Sequence, residues 1–215
     1  EFKNHPFKVR MDEDMLKLVE SIPENGIIMP ILVRPSPSGK GYEMVSGHRR
    51  MKAAELNQLE TIPAIIRDLT DDQATIIMVD SNIQREHILP SERGFAYKMK
   101  LDAMNRQRGR PTKENSSQVG NYLKGIKSIS ILANEVGESK NQIHRYIRLT
   151  ELIEPLRDLV DGIREDKKKI ALNPAVELSY LSKEHQEIIV RFIDELNVTP
   201  SHAQTIRMKE LFKEN

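Results

Sequence analysis

The sequence predicts an α/β domain over residues 1–102 followed by an all-α domain over residues 103–215. Strand and helix signals alternate through the first segment, as in a small α/β unit. From about Leu101 onward the strand signals vanish, and after Ser128 only helical periodicities of ordinary length remain. The charge is also segregated, beneath a formal net charge of only +1. Residues 103–150 carry nine Lys and Arg against three Asp and Glu, whereas residues 1–102 and 151–215 are net −2 and −3. A basic middle between acidic flanks suggests a localised anion-binding surface, with a merely solvated basic stretch as the plain alternative.

Composition narrows the function classes. With 38% hydrophobic and 30% charged residues the chain can fill modest cores and leaves much solvated surface. The lack of Trp argues against an aromatic-rich ligand groove, and the lack of Cys removes disulfides, thiolate zinc sites and cysteine nucleophiles together. No apolar run approaches the roughly 18–20 residues that span a bilayer, and no signal peptide opens the chain. A soluble, cytoplasmic protein without a membrane partner is expected. A start at Glu1 and an end on a charged helix suggest a fragment.

The elements follow in order. Asp12, Glu13 and Asp14 precede apolar residues at Met15, Leu18, Val19 and Ile22, the pattern of an amphipathic helix ended by Pro23 and Asn25-Gly26. Ile31–Arg34 and Tyr42–Val45 read as strands around a Pro-, Ser- and Gly-rich turn. A helix follows from about Gly47 to Asn57, a strand at Ile62–Arg67 and a helix from Asp71 to about Ser81. Ser91 suggests the cap of one more. The loose polar run Asn105–Gly125 is the best linker candidate. Helices are expected at 128–136, 139–149, 151–161, 174–182, 183–196 and 200–213, with Thr199-Pro200 fitting the start of the last.

Within the helical domain, 128–149 has the requirements of a helix-turn-helix. Ala133 supplies the small residue where two helices approach, Gly137 the turn, and Ile143 the apolar side of the second helix, with Tyr146 and Ile147. With that side buried, Ser139, Lys140, Asn141, His144, Arg145 and Arg148 form the DNA-binding set, suited to base edges and phosphates of double-stranded DNA. The alternative is a plain helical hairpin with a basic face. Arg108-Gly-Arg-Pro111 reads as a minor-groove hook or as a surface loop.

A second anion site is suggested where the strand Tyr42–Val45 runs into Ser46-Gly-His-Arg-Arg50. Cations in a first helical turn oppose the helix dipole at a cost of ~0.3–1 kcal/mol each, which a bound anion would offset. Free N–H groups at the helix start, with Gly47 allowing close approach, suit a phosphate. The competing reading pairs both arginines with surface carboxylates. Asp80–Glu86 offers amide, hydroxyl and guanidinium groups for the same phosphates or a metal, or else ordinary helix capping by Asn82.

Together these segments resemble the ParB-type partition proteins, including the RepB- and Noc-like members. The likeness runs through Asn4–Arg10, Ser21–Arg34, Gly47–Ala54, Asn82–Glu86, Pro90–Glu92, Arg145–Leu149 and Thr199–Gln204. It implies an N-terminal ParB/sulfiredoxin-like domain that binds CTP with Mg2+ and a helical domain that binds a palindromic centromere-like site. It further implies a homodimer that closes as a clamp, a ParA-type ATPase partner, and a nucleoid- or plasmid-associated location. By motif match Gly47, His48, Arg49 and Arg50 would hold the triphosphate. Asn82, Gln84 and Arg85 would serve phosphates and metal, with Asn82 the metal ligand, and Gly26 and Ile31 would lie around the base. Two positions depart from the family pattern: His48 stands where Glu is usual, and Ser81 where Glu precedes the Asn. A missing carboxylate beside the metal weakens the case for CTP hydrolysis more than for CTP binding. Nothing resembles the family's C-terminal dimerisation domain.

Two enzyme readings fall away. Sulfiredoxin chemistry needs a Cys in the phosphate turn, and no cluster of three carboxylates or histidines suits a nuclease. A ParB-like regulator or nucleoid-occlusion-type DNA-binding protein is the remaining alternative.

Overall fold

The computed structural model describes residues 5–85, 87–107 and 128–212. An extended segment leads into α1 (Glu13–Asn25), whose N-cap Asp12 accepts a hydrogen bond from the Met15 N–H. The helix includes Pro23 and ends two residues later at the Asn25-Gly26 pair expected to stop it. Pro23 has no N–H to offer Val19, and the Asn57 side-chain amide donates to that carbonyl in its place, at 3.0 Å. Gly26, at φ 64°, then turns the chain and donates to Ile22.

Strands β1 (Ile31–Pro35) and β2 (Tyr42–Ser46) form an antiparallel hairpin, and β3 (Ala64–Ile66) adds parallel to β1, giving the order β2-β1-β3. Backbone pairing continues past β3 at both ends, through Ile31 to Pro63 and Arg67 to Val33. Between β2 and β3 lies α2 (His48–Leu56), packed on α1 through Met15, Ile22 and Ala53. Helix α3 (Asp71–Ile83) opens on a reciprocal Thr70–Gln73 capping box. It lays Ala74, Met78 and Val79 over Val45 and Phe7.

Helix α4 (Pro90–Gln107) carries Ala96 into that core and Tyr97 into the next, formed with Ile129, Leu132, Ala133 and Ile143. The 102/103 division suggested by the strand signals therefore falls inside one helix. Ser91 is not the cap of α4. It lies in the first turn, and its N–H and hydroxyl donate to Asp161 at 2.9 and 2.5 Å.

Helix α5 (128–136) and α6 (Lys140–Arg148) meet across a tight turn. A 3-10 turn (Leu149–Glu151) leads to α7 (Glu154–Asp161), α8 (Leu172–Leu178), α9 (Lys183–Leu196) and α10 (His202–Leu211). Leu149, Leu152, Leu156, Leu159, Ile170 and Leu178 fill their common core. The start of α8 at Leu172 places Pro174 in the first turn, where a missing N–H costs no helical bond. Among the described residues no helix is long and apolar enough to cross a membrane.

Candidate anion cleft and basic helix

The extended segment before α1, the first turn of α2 and the connection between α3 and α4 enclose a cleft of about 430 Å³. Phe7, Lys8, Arg10, Asp12, Arg49, Arg85, His87 and Glu92 are among its walls. Gly47 makes the α2 start possible: it adopts φ 108°, and a Cβ there would stand 2.7 Å from the Ile31 side chain. No side chain caps this helix start. Uncapped N–H groups and a helix dipole make such a position receptive to an anion.

Three guanidinium groups line the cleft in different electrostatic states. Arg49 is paired with Asp12 through two hydrogen bonds of 2.9 and 2.6 Å. This pair holds the Asp12 carboxyl well below the usual carboxylate range. Arg10 donates to Glu92 at 2.8 Å. Glu92 is 6% exposed and also accepts from the Lys8 and Leu89 N–H groups. Arg85 lies against the Phe7 ring, 5.9 Å from its centroid, and makes no ion pair with a described residue. Burial, and then the Arg49 charge, lower its pKa from the ordinary value. Glu92 and Asp12 offset this in part, and a half-buried guanidinium without a direct ion pair to a described residue would be stabilised by a bound anion.

The other expected residues are placed differently. His48 is buried, its Nε2 has no hydrogen-bond partner, and its ring sits 4.0 Å from that of His5. Burial, and then His5, push its pKa down to about 4. Arg50 turns from the cleft and donates to the Met29 and Pro30 carbonyls at 2.7 and 2.5 Å. Ile31 is buried beneath Gly47, and Gly26 ends α1 in an open turn. Asn82 is 2% exposed; its amide donates to Met78, and its Oδ1 is a buried acceptor without a partner. Gln84 is exposed, and the Ser81 hydroxyl donates to Met78. For a magnesium ion these residues supply one orphaned amide oxygen. That fits a cation held chiefly by phosphate oxygens, as Mg2+ often is. No group of three His, Asp or Glu among the described residues suits a metal.

Lys8, Arg10 and Glu92 lie in the Asn4–Arg10 and Pro90–Glu92 segments of the resemblance, yet the sequence assigns neither them nor Asp12 to the cleft, because their pairing there joins positions more than 30 residues apart.

In the second half, Ala133 and Ile143 meet in one cluster, with Ile143 fully buried, and Gly137 makes the turn at φ 69°. Ser139 caps α6 through the Gln142 N–H. Ser139, Lys140, Asn141, His144 and Arg145 are exposed together. Arg148 is committed elsewhere: it donates to the Ser179 hydroxyl and carbonyl at 3.0 and 2.5 Å and stacks over Tyr180 at 4.1 Å. The segment Arg108–Pro111 lies outside the described residues. Gly94 went unremarked in the sequence, yet a Cβ there would stand 2.2 Å from the Tyr146 carbonyl oxygen, so α4 and α6 touch backbone to backbone.

Fold and sites define a protein with an anion-receptive α/β unit coupled through one helix to a helical unit with an exposed basic helix start. Residues 2–83 match the ParB N-terminal domain. The chromosome-partitioning protein Spo0J of Thermus thermophilus is 32% identical over 166 residues, 76% of this chain and 60% of its own length. A nucleoid occlusion protein of Bacillus velezensis is 29% identical over 97% of this chain and 66% of its own length. A Pnob8-like ParB-N domain structure shares the fold, with TM-score 0.52 at 12% identity over 96% of this chain and 92% of that one. The chain thus carries a ParB N-terminal domain over residues 2–83 and beyond it is similar to ParB-type partition proteins. It spans 60% of the length of the Thermus relative.

Proposed function

We propose that this protein is a sequence-specific DNA-binding partition protein whose α5–α6 pair is a helix-turn-helix and whose N-terminal cleft takes the phosphates of CTP. The carrying observation is the exposed start of α6. Ser139, Lys140, Asn141, His144 and Arg145 face outward from a helix whose opposite side holds the fully buried Ile143. Asn and Arg can read base edges bidentately, while Ser, Lys and His position the helix on phosphates. The cleft reading is supported by the uncapped α2 start and by Arg85, which makes no ion pair with a described residue. On this reading Arg49 and Arg85 meet the triphosphate and Asn82 contributes to Mg2+. Arg50 braces the 29–30 backbone near the base, and no carboxylate at position 81 activates water. A palindromic target would be met by a homodimer, with a ParA-type ATPase as partner, on the nucleoid or a plasmid in the cytoplasm.

The test measures fluorescence anisotropy with a duplex selected from random sequence. Arg145→Ala should weaken the selected site by about 1–3 kcal/mol and relax its sequence preference. Equal binding of selected and random duplexes by the unaltered protein would overturn DNA specificity. Calorimetry with CTP and Mg2+ should show binding that Arg49→Ala abolishes.

A nucleoid-occlusion role is the second reading. The Bacillus velezensis protein aligns over 97% of this chain, whereas the Thermus partition protein aligns over 76%. A ParA-type gene beside this one, and segregation loss on deletion, separate partition from occlusion.

A further inference from the structure

We propose that Asp12 is an internal competitor for the phosphate site: its carboxylate occupies Arg49 in the free protein, so it sets the affinity of the cleft for polyphosphate. The inference rests on the nucleotide reading above and adds a regulatory element to that site. Arg49 spends both terminal nitrogens on the two Asp12 oxygens, at 2.9 and 2.6 Å. That two-point fork is the geometry in which a guanidinium also grips phosphate, so both anions cannot hold Arg49 in the same way. The pair is exchangeable, since the Asp12 side chain is 44% exposed and that of Arg49 22%. Partial exposure of both partners leaves the fork open to an incoming anion.

Asp12 cannot simply withdraw. Its Oδ1 also accepts from the Met15 N–H at 2.8 Å and caps α1, which keeps the carboxylate at the cleft wall. An arriving polyphosphate therefore loses twice: it must displace one carboxylate from Arg49 and then sit beside that negative charge. Glu92 pairs with Arg10, whereas Arg85 makes no ion pair with a described residue. The capping duty and the competing charge are chemically separable. Asn and Ser cap helix starts as well as Asp does, without the charge.

Calorimetry on the full chain, with Mg2+-CTP and separately with inorganic tripolyphosphate, tests this in the wild type, Asp12→Asn, Asp12→Ser, Arg49→Ala and the Asp12→Asn/Arg49→Ala double variant. Both neutral Asp12 variants should bind either ligand roughly three- to tenfold more tightly than wild type, reflecting one relieved ion pair and one removed like charge. The gain should vanish when Arg49 is absent. Wild-type binding of CTP with no gain in either neutral variant, their circular dichroism unchanged, overturns the competitor and leaves the nucleotide reading standing. No binding of either ligand by any of the proteins overturns both.

Discussion

His48 sits where a proton is hardest to place: a buried ring against His5, with a pKa near 4 instead of its ordinary 6.5. Above pH 6.5 neither folded nor unfolded chain protonates this ring. Between 6.5 and 4 the unfolded chain takes up a proton that the folded one refuses, so this contribution is complete at neutral pH and is lost as pH falls. His48→Gln should therefore flatten the acid dependence of stability by about 2 kcal/mol between about pH 7.5 and pH 5, read from urea midpoints. Parallel curves for the two proteins would show that the ring titrates freely. Arginine pairs make the same point about environment. Arg145→Ala should change stability by less than about 0.5 kcal/mol, as an exposed substitution does. Arg148→Ala should cost about 1–3 kcal/mol, because it removes two hydrogen bonds to Ser179 and the stacking on Tyr180. A loss of DNA affinity with unaltered melting in Arg148→Ala would place that side chain on DNA instead.

At the scale of elements, helix propensity and packing oppose each other at Gly94. Propensity alone favours alanine in a helix interior by about 1 kcal/mol. The Tyr146 carbonyl oxygen, 2.2 Å from where the new Cβ would lie, belongs to backbone and cannot rotate away. Gly94→Ala should therefore destabilise by about 1–3 kcal/mol through forced separation of α4 and α6, visible as a lowered thermal midpoint. A stabilised variant would mean the helices are not in contact. This opposition also marks what was legible in the sequence. Signals confined to one element read well: the acidic start of α1, the hairpin turn, and the Ala133, Gly137 and Ile143 spacing that puts two helices in contact. Features depending on a distant partner did not. The Val19 carbonyl left open by Pro23 is met by Asn57, and Arg10 by Glu92, 82 positions away. Arg148 shares a helical face with Arg145, and only the docking of the chain after α8 removes it from that face.

On the scale of the molecule, α4 is the common member of two cores. Ala96 belongs with Val45 and Met78, while Tyr97 belongs with Ile129, Leu132 and Ile143. Buried Lys100 adds a three-helix bridge, pairing with Asp80 of α3 at 2.5 Å and Glu135 of α5 at 2.6 Å. The start of this spine is held by Asp161 of α7, a carboxylate 8% exposed whose pKa burial raises and whose two oxygens accept from Ser91. Asp161→Ala would leave the Ser91 N–H and hydroxyl buried without partners, a loss of about 2–4 kcal/mol at two unsatisfied donors. If α4 is shared structure, that loss cannot stay in the helical half. Hydrogen exchange should show protection falling by the same free energy at β1 and at α8, as one cooperative unit. Protection lost at α8 alone would show instead that the sheet and the helical bundle fold independently, with α4 belonging to only one of them.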